Sequence, residues 1–218
     1  MELNEIPIFE GLTNSELKEI EPYIQFVSFK KKEAVFNEGD RSDWFYIVAA
    51  GKVKITKLSQ DGKELIIELV QAGELFGALA VFGGFPYPAN AIAMENAKVV
   101  RIFRKNLLRI LDRFPIVMFK ITSIMGDRMK NSHDTLKNIA LERVESRIAS
   151  LLLKLSDKSS TPGQIDIKLT KQDIADMVGT TVETSIRTLS KFKKEGLITD
   201  KKGLHVITDK EGLALYAN

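Results

Sequence analysis

Cysteine is absent from all 218 residues, and only two histidines occur, His133 and His205. The first absence excludes disulfides, thiolate zinc sites, cysteine nucleophiles and cysteine-ligated iron–sulfur clusters. The two histidines stand far apart in sequence, which argues against a histidine-rich metal site; each reads as a solvated or hydrogen-bonded polar residue. No apolar run is long enough to cross a bilayer, and MELNEIPIFEG at the N-terminus has neither the basic start nor the apolar core of a signal peptide. The chain is therefore expected in the cytoplasm, off the membrane. Nucleophile-elbow, phosphate-loop and zinc-protease patterns are missing too, so nothing supports an enzyme.

Charge of either sign is scarce as a net quantity: 32 Lys and Arg against 29 Asp and Glu leave +3. A surplus that small does not identify a polyanionic partner. Its distribution says more, because Arg187, Lys191, Lys193, Lys194, Lys201 and Lys202 crowd one short segment against Glu195 and Asp200.

That segment carries the most specific local pattern, LTKQDIADMVGTTVETSIRTLSKFKK from Leu169 to Lys194. Thr170 with Asp173 three residues on forms a capping-box-like start, and Ile174, Met177 and Val178 follow at helical spacing. Gly179 stops the first helix, and Thr180 or Thr181 caps a second. The second helix turns Ser185 or Ile186, Leu189 and Phe192 inward, and Glu183, Arg187, Lys191 and Lys194 outward. One helix that braces and another that offers side chains to base edges make a helix-turn-helix. TDKKGLHVIT (Thr199 to Thr208) then reads as a hairpin turning at Lys201-Lys202-Gly203, a basic wing placed to reach phosphates.

The N-terminal half has a different period. After a short helix from Asn14 to Tyr23, strands are expected at Gln25 to Phe29, Ala34 to Asn37, Trp44 to Ala49, Lys52 to Leu58, Glu64 to Val70 and Ala91 to Ile102. Glycine turns separate them, which predicts an antiparallel sandwich or barrel. From Leu107 the pattern is helical, breaks at Pro115, and continues as one long helix to about Asn138. Met118, Thr122, Met125, Met129, Ser132, Leu136 and Ile139 repeat at steps of four and three, a seam suited to a partner helix. Val117, Ile121 and Ile124 form a second stripe that can cover the β domain. A further helix is expected from Leu141 to Leu155, and SDKSSTPG (Ser156 to Gly163) is a loop by composition.

In that order, FNEGDRSDWFYIVAAGKVKI, GELFGALAVFGG, the long helix, ERVESRIASLLLKL and VGTTVETSIRTLSKF resemble the CRP/FNR superfamily of bacterial transcription regulators over nearly the whole chain. The resemblance implies an α+β protein. Its parts are an N-terminal antiparallel β-roll (1–113), a long dimerisation helix (114–140) and a C-terminal winged helix-turn-helix (141–218). It also implies a homodimer on double-stranded DNA, a small-molecule effector or redox cue sensed between the β-roll and the long helix, and RNA polymerase as partner where the protein activates. Movement of the winged domains about a hinge near Asn138 to Glu142 would then couple cue to output. A ligand-binding module whose C-terminal helices contact protein is the alternative on the same elements.

Matched to the family, the DNA-contacting candidates are Thr180, Thr181, Val182, Glu183, Ile186, Arg187 and Lys191, with Lys201 and Lys202 in the wing. Glu183 and Arg187 fall on the base-reading positions; an Arg fork suits guanine, a carboxylate suits cytosine N4. The phrase is similar to the fumarate–nitrate branch, whose half-site resembles TTGA. Ile186 replaces that branch's serine and either packs inward or touches a thymine methyl. The pocket candidates are Phe76, Gly77, Ala78, Leu79, Pro88, Ala89, Asn90, Met125, Arg128 and Met129. Where the cyclic-AMP branch has a ribose-binding Glu and a phosphate-binding Arg-Ser pair, this chain has Ala78, Pro88 and Ala89, which argues against cyclic AMP. Arg128 reads as a residue in solvent or at the dimer seam, with the alternative that it reaches inward as a substitute cation. PYPANAIA (Pro86 to Ala93) resembles a phrase in branches that answer nitric oxide, which keeps haem open, with Met125, Met129 or His133 as ligand.

Overall fold

The computed structural model describes residues 2–159 and 161–217 and divides into two compact units, Met1–Met129 and Lys130–Asn218. In the first, two short 3-10 turns (Leu3–Glu5 and Pro7–Phe9) precede α1 (Asn14–Ile20), where Thr13 caps the Glu16 amide at 3.3 Å and the Glu16 carboxylate returns to the Thr13 amide at 2.7 Å. Eight strands follow: β1 (Ile24–Phe29), β2 (Ala34–Phe36), β3 (Trp44–Ala50), β4 (Val53–Leu58), β5 (Glu64–Val70), β6 (Leu75–Phe76), β7 (Asn90–Ala93) and β8 (Ala97–Phe103). They form two antiparallel four-stranded sheets, ordered β1-β8-β3-β6 and β2-β7-β4-β5.

The strand expected from Ala91 to Ile102 is two strands in different sheets. Met94–Asn96 breaks the run, and the Met94 amide donates to the Lys52 carbonyl at 2.9 Å, so the chain crosses from one sheet to the other. Among the elements of this unit not expected from the sequence are β6 and the short helix α2 (Ala78–Gly83). Gly77 and Gly84 bracket α2 in left-handed conformations (φ 76° and 69°), which only glycine adopts without cost. Local apolar composition hid both elements, because each is shorter than the window in which a period becomes visible.

β3 shows how the unit is held. Phe45, Ile47 and Ala49 face one way and join a core with Leu17 and Ile20 of α1, Val100 and Ile102 of β8, and the following helices. Tyr46 and Val48 face the opposite way, between the two sheets, with Phe36, Val53, Val70, Phe76 and Tyr87. The period-two alternation therefore buries both faces, so the strand reads as continuously apolar. Between the sheets the aromatic rings pack closely: Phe36 stacks on Tyr87 at 3.7 Å and Tyr46 on Phe76 at 5.1 Å. The Tyr87 hydroxyl donates to the Trp44 carbonyl.

α3 (Arg104–Arg113) ends at Phe114, and Pro115 opens the long α4 (Pro115–Leu141) at a position where its missing N–H costs nothing. Val117 and Ile121 are buried in the first core, and Ile124 and Met125 pack against it, which agrees with the second apolar stripe. The helix runs past Asn138 to Leu141, and α5 starts at Val144 with Arg143 as its cap, so the break falls at Glu142–Arg143. α5 (Val144–Asp157) extends two residues beyond Leu155 into the segment expected to be loop; of that segment, Ser160 lies outside the described residues.

The second unit completes the chain with α6 (Lys171–Val178), α7 (Val182–Lys194), β9 (Ile198–Lys201), β10 (Leu204–Ile207) and α8 (Lys210–Tyr216). Ile148, Leu152, Ile174, Leu189, Phe192 and Leu213 are buried within it. The observed architecture is the expected α+β arrangement, with sheets first, a long helix next and a winged helix-turn-helix last.

Candidate nucleic-acid interface and effector site

Each end of the helix-turn-helix is fixed by a named group. Thr170 accepts from the Asp173 amide at 3.0 Å while the Asp173 carboxylate accepts from the Thr170 amide at 2.8 Å. Gly179 turns left-handed (φ 66°) to end α6, and Thr181, rather than Thr180, caps α7 by accepting from the Thr184 amide at 3.3 Å. Ser185, Thr188, Leu189 and Phe192 form the buried face of α7. That resolves the alternative left by sequence. Ser185 points in, while Ile186 is 46% exposed beside Glu183 and Arg187 on the open face.

Val182 is half-buried at the first turn, and Thr180 is half-buried in the preceding turn. Lys191 departs from the expected outward face. Its ammonium donates to both Glu145 carboxylate oxygens of α5, at 3.1 and 3.0 Å, and lies 4.8 Å from the centre of the Tyr216 ring. Its pKa is raised, chiefly by the Glu145 hydrogen bond and then by Tyr216. Lys191 therefore ties α7 to α5 and α8. Sequence spacing along α7 gave no sign of this, because Glu145 is 46 residues away.

The wing is a hairpin with a two-residue turn. Lys202 and Gly203 both have positive φ (53° and 80°), the pattern that matches strand twist, and Lys201 and Lys202 are exposed at its tip. The open surface thus carries Glu183, Ile186 and Arg187 along one helix, with two ammonium groups on the hairpin.

The pocket candidates of the first unit do not share one environment. Phe76, Ala78 and Ala89 are buried; Leu79, Pro88 and Met129 are exposed; Gly77 is the left-handed cap of α2. Asn90 is committed to the backbone, its side-chain oxygen accepting from the Glu38 amide at 2.9 Å. Met125 packs on the core, whereas Met129 and His133 are exposed on α4, so the three haem-ligand candidates differ in setting. Arg128 corrects an expectation. It is not solvated: its Nε lies 2.9 Å from Glu68 Oε1 on β5, with the two side chains only 25% and 29% exposed. Like the Lys191 tie, the pair was invisible in sequence because it needs the folded sheet.

Two family patterns match this chain. The cyclic nucleotide-binding domain matches residues 26–114, and the Crp-like helix-turn-helix domain matches residues 146–216. The chain belongs to the CRP/FNR superfamily. It is a DNA-binding transcription regulator with an effector-binding domain. Among CRP/FNR relatives, it is 28% identical over 192 residues to the cyclic AMP receptor protein of Thermus thermophilus, covering 88% of each chain. It is 27% identical over 192 residues to the fumarate and nitrate reduction regulatory protein of Escherichia coli, covering 86% of this chain and 76% of that one. FixK2 from Bradyrhizobium japonicum has the same fold, with a TM-score of 0.82 at 22% identity, covering 89% of this chain and 98% of that chain. No helix among the described residues is long and apolar enough to cross a membrane.

The cyclic nucleotide implied by the first CRP/FNR domain does not fit the donor set present. From Glu74 to Glu95 there is no Lys or Arg. The methyl groups of Ala78 and Ala89 are buried where polar groups would be needed, and Pro88 has no N–H to offer. Arg128 is already neutralised by Glu68, whose carboxylate would repel a second anion. Removing a phosphodiester from water without a cation costs several kcal/mol, about the net affinity such a ligand needs.

Proposed function

We propose that the protein acts as a homodimer on a near-palindromic operator, with Glu183 and Arg187 of α7 reading a TGA-like core in each half-site. The carrying observation is the split of α7 into a buried face of Ser185, Leu189 and Phe192 and an exposed face of Glu183, Ile186 and Arg187. The Arg187 guanidinium pairs with guanine O6 and N7, the Glu183 carboxylate accepts from cytosine N4, and exposed Ile186 meets a thymine methyl. Thr180, Thr181 and Val182 approach the backbone at the helix N-terminus, and Lys201 and Lys202 contact phosphates beside the groove.

The dimer reading rests on α4. Met118, Met129, Leu136 and Ile139 lie on the four-and-three seam and are all exposed, with Met129 at 63% and Leu136 at 65%. A row of large apolar groups at heptad spacing in water calls for a second copy of the helix. Two recognition helices then enter successive major grooves about 34 Å apart. The β-roll answers a cue other than a cyclic nucleotide, and it acts by binding one arrangement of the dimer better than another.

Selection of bound sequences from a random duplex library tests this reading. The expected product is an inverted repeat with TTGA-like half-sites. Recovery of no motif, or of a single unrepeated motif, would remove it.

A further inference from the structure

Cations around a recognition helix and a wing tip favour a polyanion, and a carboxylate among them opposes it. Asp200 is such a carboxylate. It lies on β9 directly before Lys201 and Lys202, with Lys193 and Lys171 as charged neighbours. On charge alone it weakens DNA binding.

Its bonding explains what it contributes instead. The turn at Lys202 and Gly203 pairs Lys201 with Leu204, which sets Asp200 directly across from His205. Asp200 Oδ1 is 2.7 Å from His205 Nδ1, and Asp200 Oδ2 accepts from the Lys193 ammonium in the last turn of α7. His205 is only 5% exposed, and its own carbonyl accepts from the Ile165 amide at 2.9 Å. One carboxylate thus joins β9, β10 and the end of α7, using a separate oxygen for His205 and for Lys193. Burial first, and then the nearby Lys171, pull the His205 pKa below its usual value, while Asp200 opposes them. The ring is therefore neutral at pH 7, and the proton it shares with an acceptor-only carboxylate sits on Nδ1. Lys171, partly buried and beside Lys193, has its own pKa lowered by burial and by that neighbour. Asp200 faces Lys171, Lys193 and His205, so its charge is matched locally.

We infer that Asp200 is a positioning residue for DNA binding, clamping the wing to the recognition helix. Lys201 and Lys202 are held by it at a set offset from the α7 face that carries Glu183 and Arg187. The inference rests on the DNA-binding reading above.

Repulsion and clamping predict opposite signs. Asp200→Asn keeps the size of the side chain and an acceptor for His205 but loses the charge and the ion pair with Lys193. If Asp200 were only a negative charge, this variant would bind a mixed-sequence duplex more tightly. The clamp requires about a tenfold weaker complex, with the slope of log K against log salt shallower by roughly 0.9, the loss of one phosphate contact. Lys193→Gln in the Asp200→Asn background should add less than it does alone. Amide hydrogen exchange of full-length protein supplies a readout independent of DNA. In Asp200→Asn, the β9 and β10 amides should exchange faster while those of α6 and α7 keep their protection. Tighter or unchanged duplex binding by Asp200→Asn, or weaker binding with unchanged wing exchange, overturns the clamp alone. A wild-type protein without salt-sensitive duplex binding overturns the DNA-binding reading, and the clamp with it.

Discussion

The two units use charge in opposite ways. In the β-roll, Lys54–Glu64 joins β4 to β5, Arg128–Glu68 joins α4 to β5, Lys57–Glu38 and Lys52–Glu95 tie in the connecting turns, and aromatic rings fill the space between the sheets. In the winged unit, Arg187, Lys194, Lys201 and Lys202 stand exposed, while Lys191 and Lys193 brace α7 through Glu145 and Asp200 and Lys210 pairs with Asp157. Cations left exposed in this way are available to a polyanion. In the β-roll, Arg128 and Lys54 are occupied by half-buried carboxylates and are not available to an anionic ligand. The contrast separates a readable output from an input that must be found by its exclusions.

The largest effect that would break the comparison is loss of the winged unit itself. Phe192→Ala removes a fully buried ring and should cost about 3–5 kcal/mol, seen as early melting of that unit in a thermal scan while the β-roll transition stays in place. An unchanged scan would mean that Phe192 does not anchor α7. Next, Arg128→Ala leaves the Glu68 side chain, 29% exposed, without this partner. Full burial would cost about 3–5 kcal/mol, so partial exposure reduces the expected loss to about 2 kcal/mol of β-roll stability. Arg128→Ala that is as stable as wild type would show the pair to be incidental. Arg187→Ala should lose about 1–3 kcal/mol of discrimination between operator and mixed-sequence duplex and keep weak, salt-sensitive binding. Full preference for one palindrome in that variant would remove Arg187 from base reading.

The smallest expected effect is a pH dependence. His205 has a folded pKa below the unfolded value of 6.5, so the unfolded chain takes up more protons as pH falls. Stability of the winged unit is full above that value. It should decline as pH drops from 6.5 toward the lowered folded pKa. His205→Asn preserves a donor toward Asp200 without titrating and should flatten this part of the curve; an identical curve would assign the slope elsewhere.

What sequence could show and what it could not follows the distance over which each feature is determined. Thr170 with Asp173, Gly179, Thr181 and the Lys202–Gly203 turn are local devices, each complete within four residues, and the helix-turn-helix and wing could be read from them. The long helix was legible from Pro115 and its apolar repeat, except for its end, since no strong stop follows Asn138. By contrast, Arg128 with Glu68, and Lys191 with Glu145, join residues 60 and 46 positions apart and exist only after sheet and helix have packed. The division of the Ala91 to Ile102 run was missed because Met94–Asn96 lacks glycine or proline, and a change of sheet leaves no periodic mark. Asp200 lay nearer to hand: a two-residue turn at Lys202 and Gly203 already sets it opposite His205.

The most direct test of the contrast is a titration of full-length protein into its selected operator duplex, followed by fluorescence anisotropy, with and without saturating cyclic AMP. A self-satisfied β-roll beside an exposed recognition face predicts salt-sensitive, operator-selective binding with the same Kd in both titrations. Selective binding that appears only with the nucleotide, or a Kd lowered tenfold or more by it, would contradict the account.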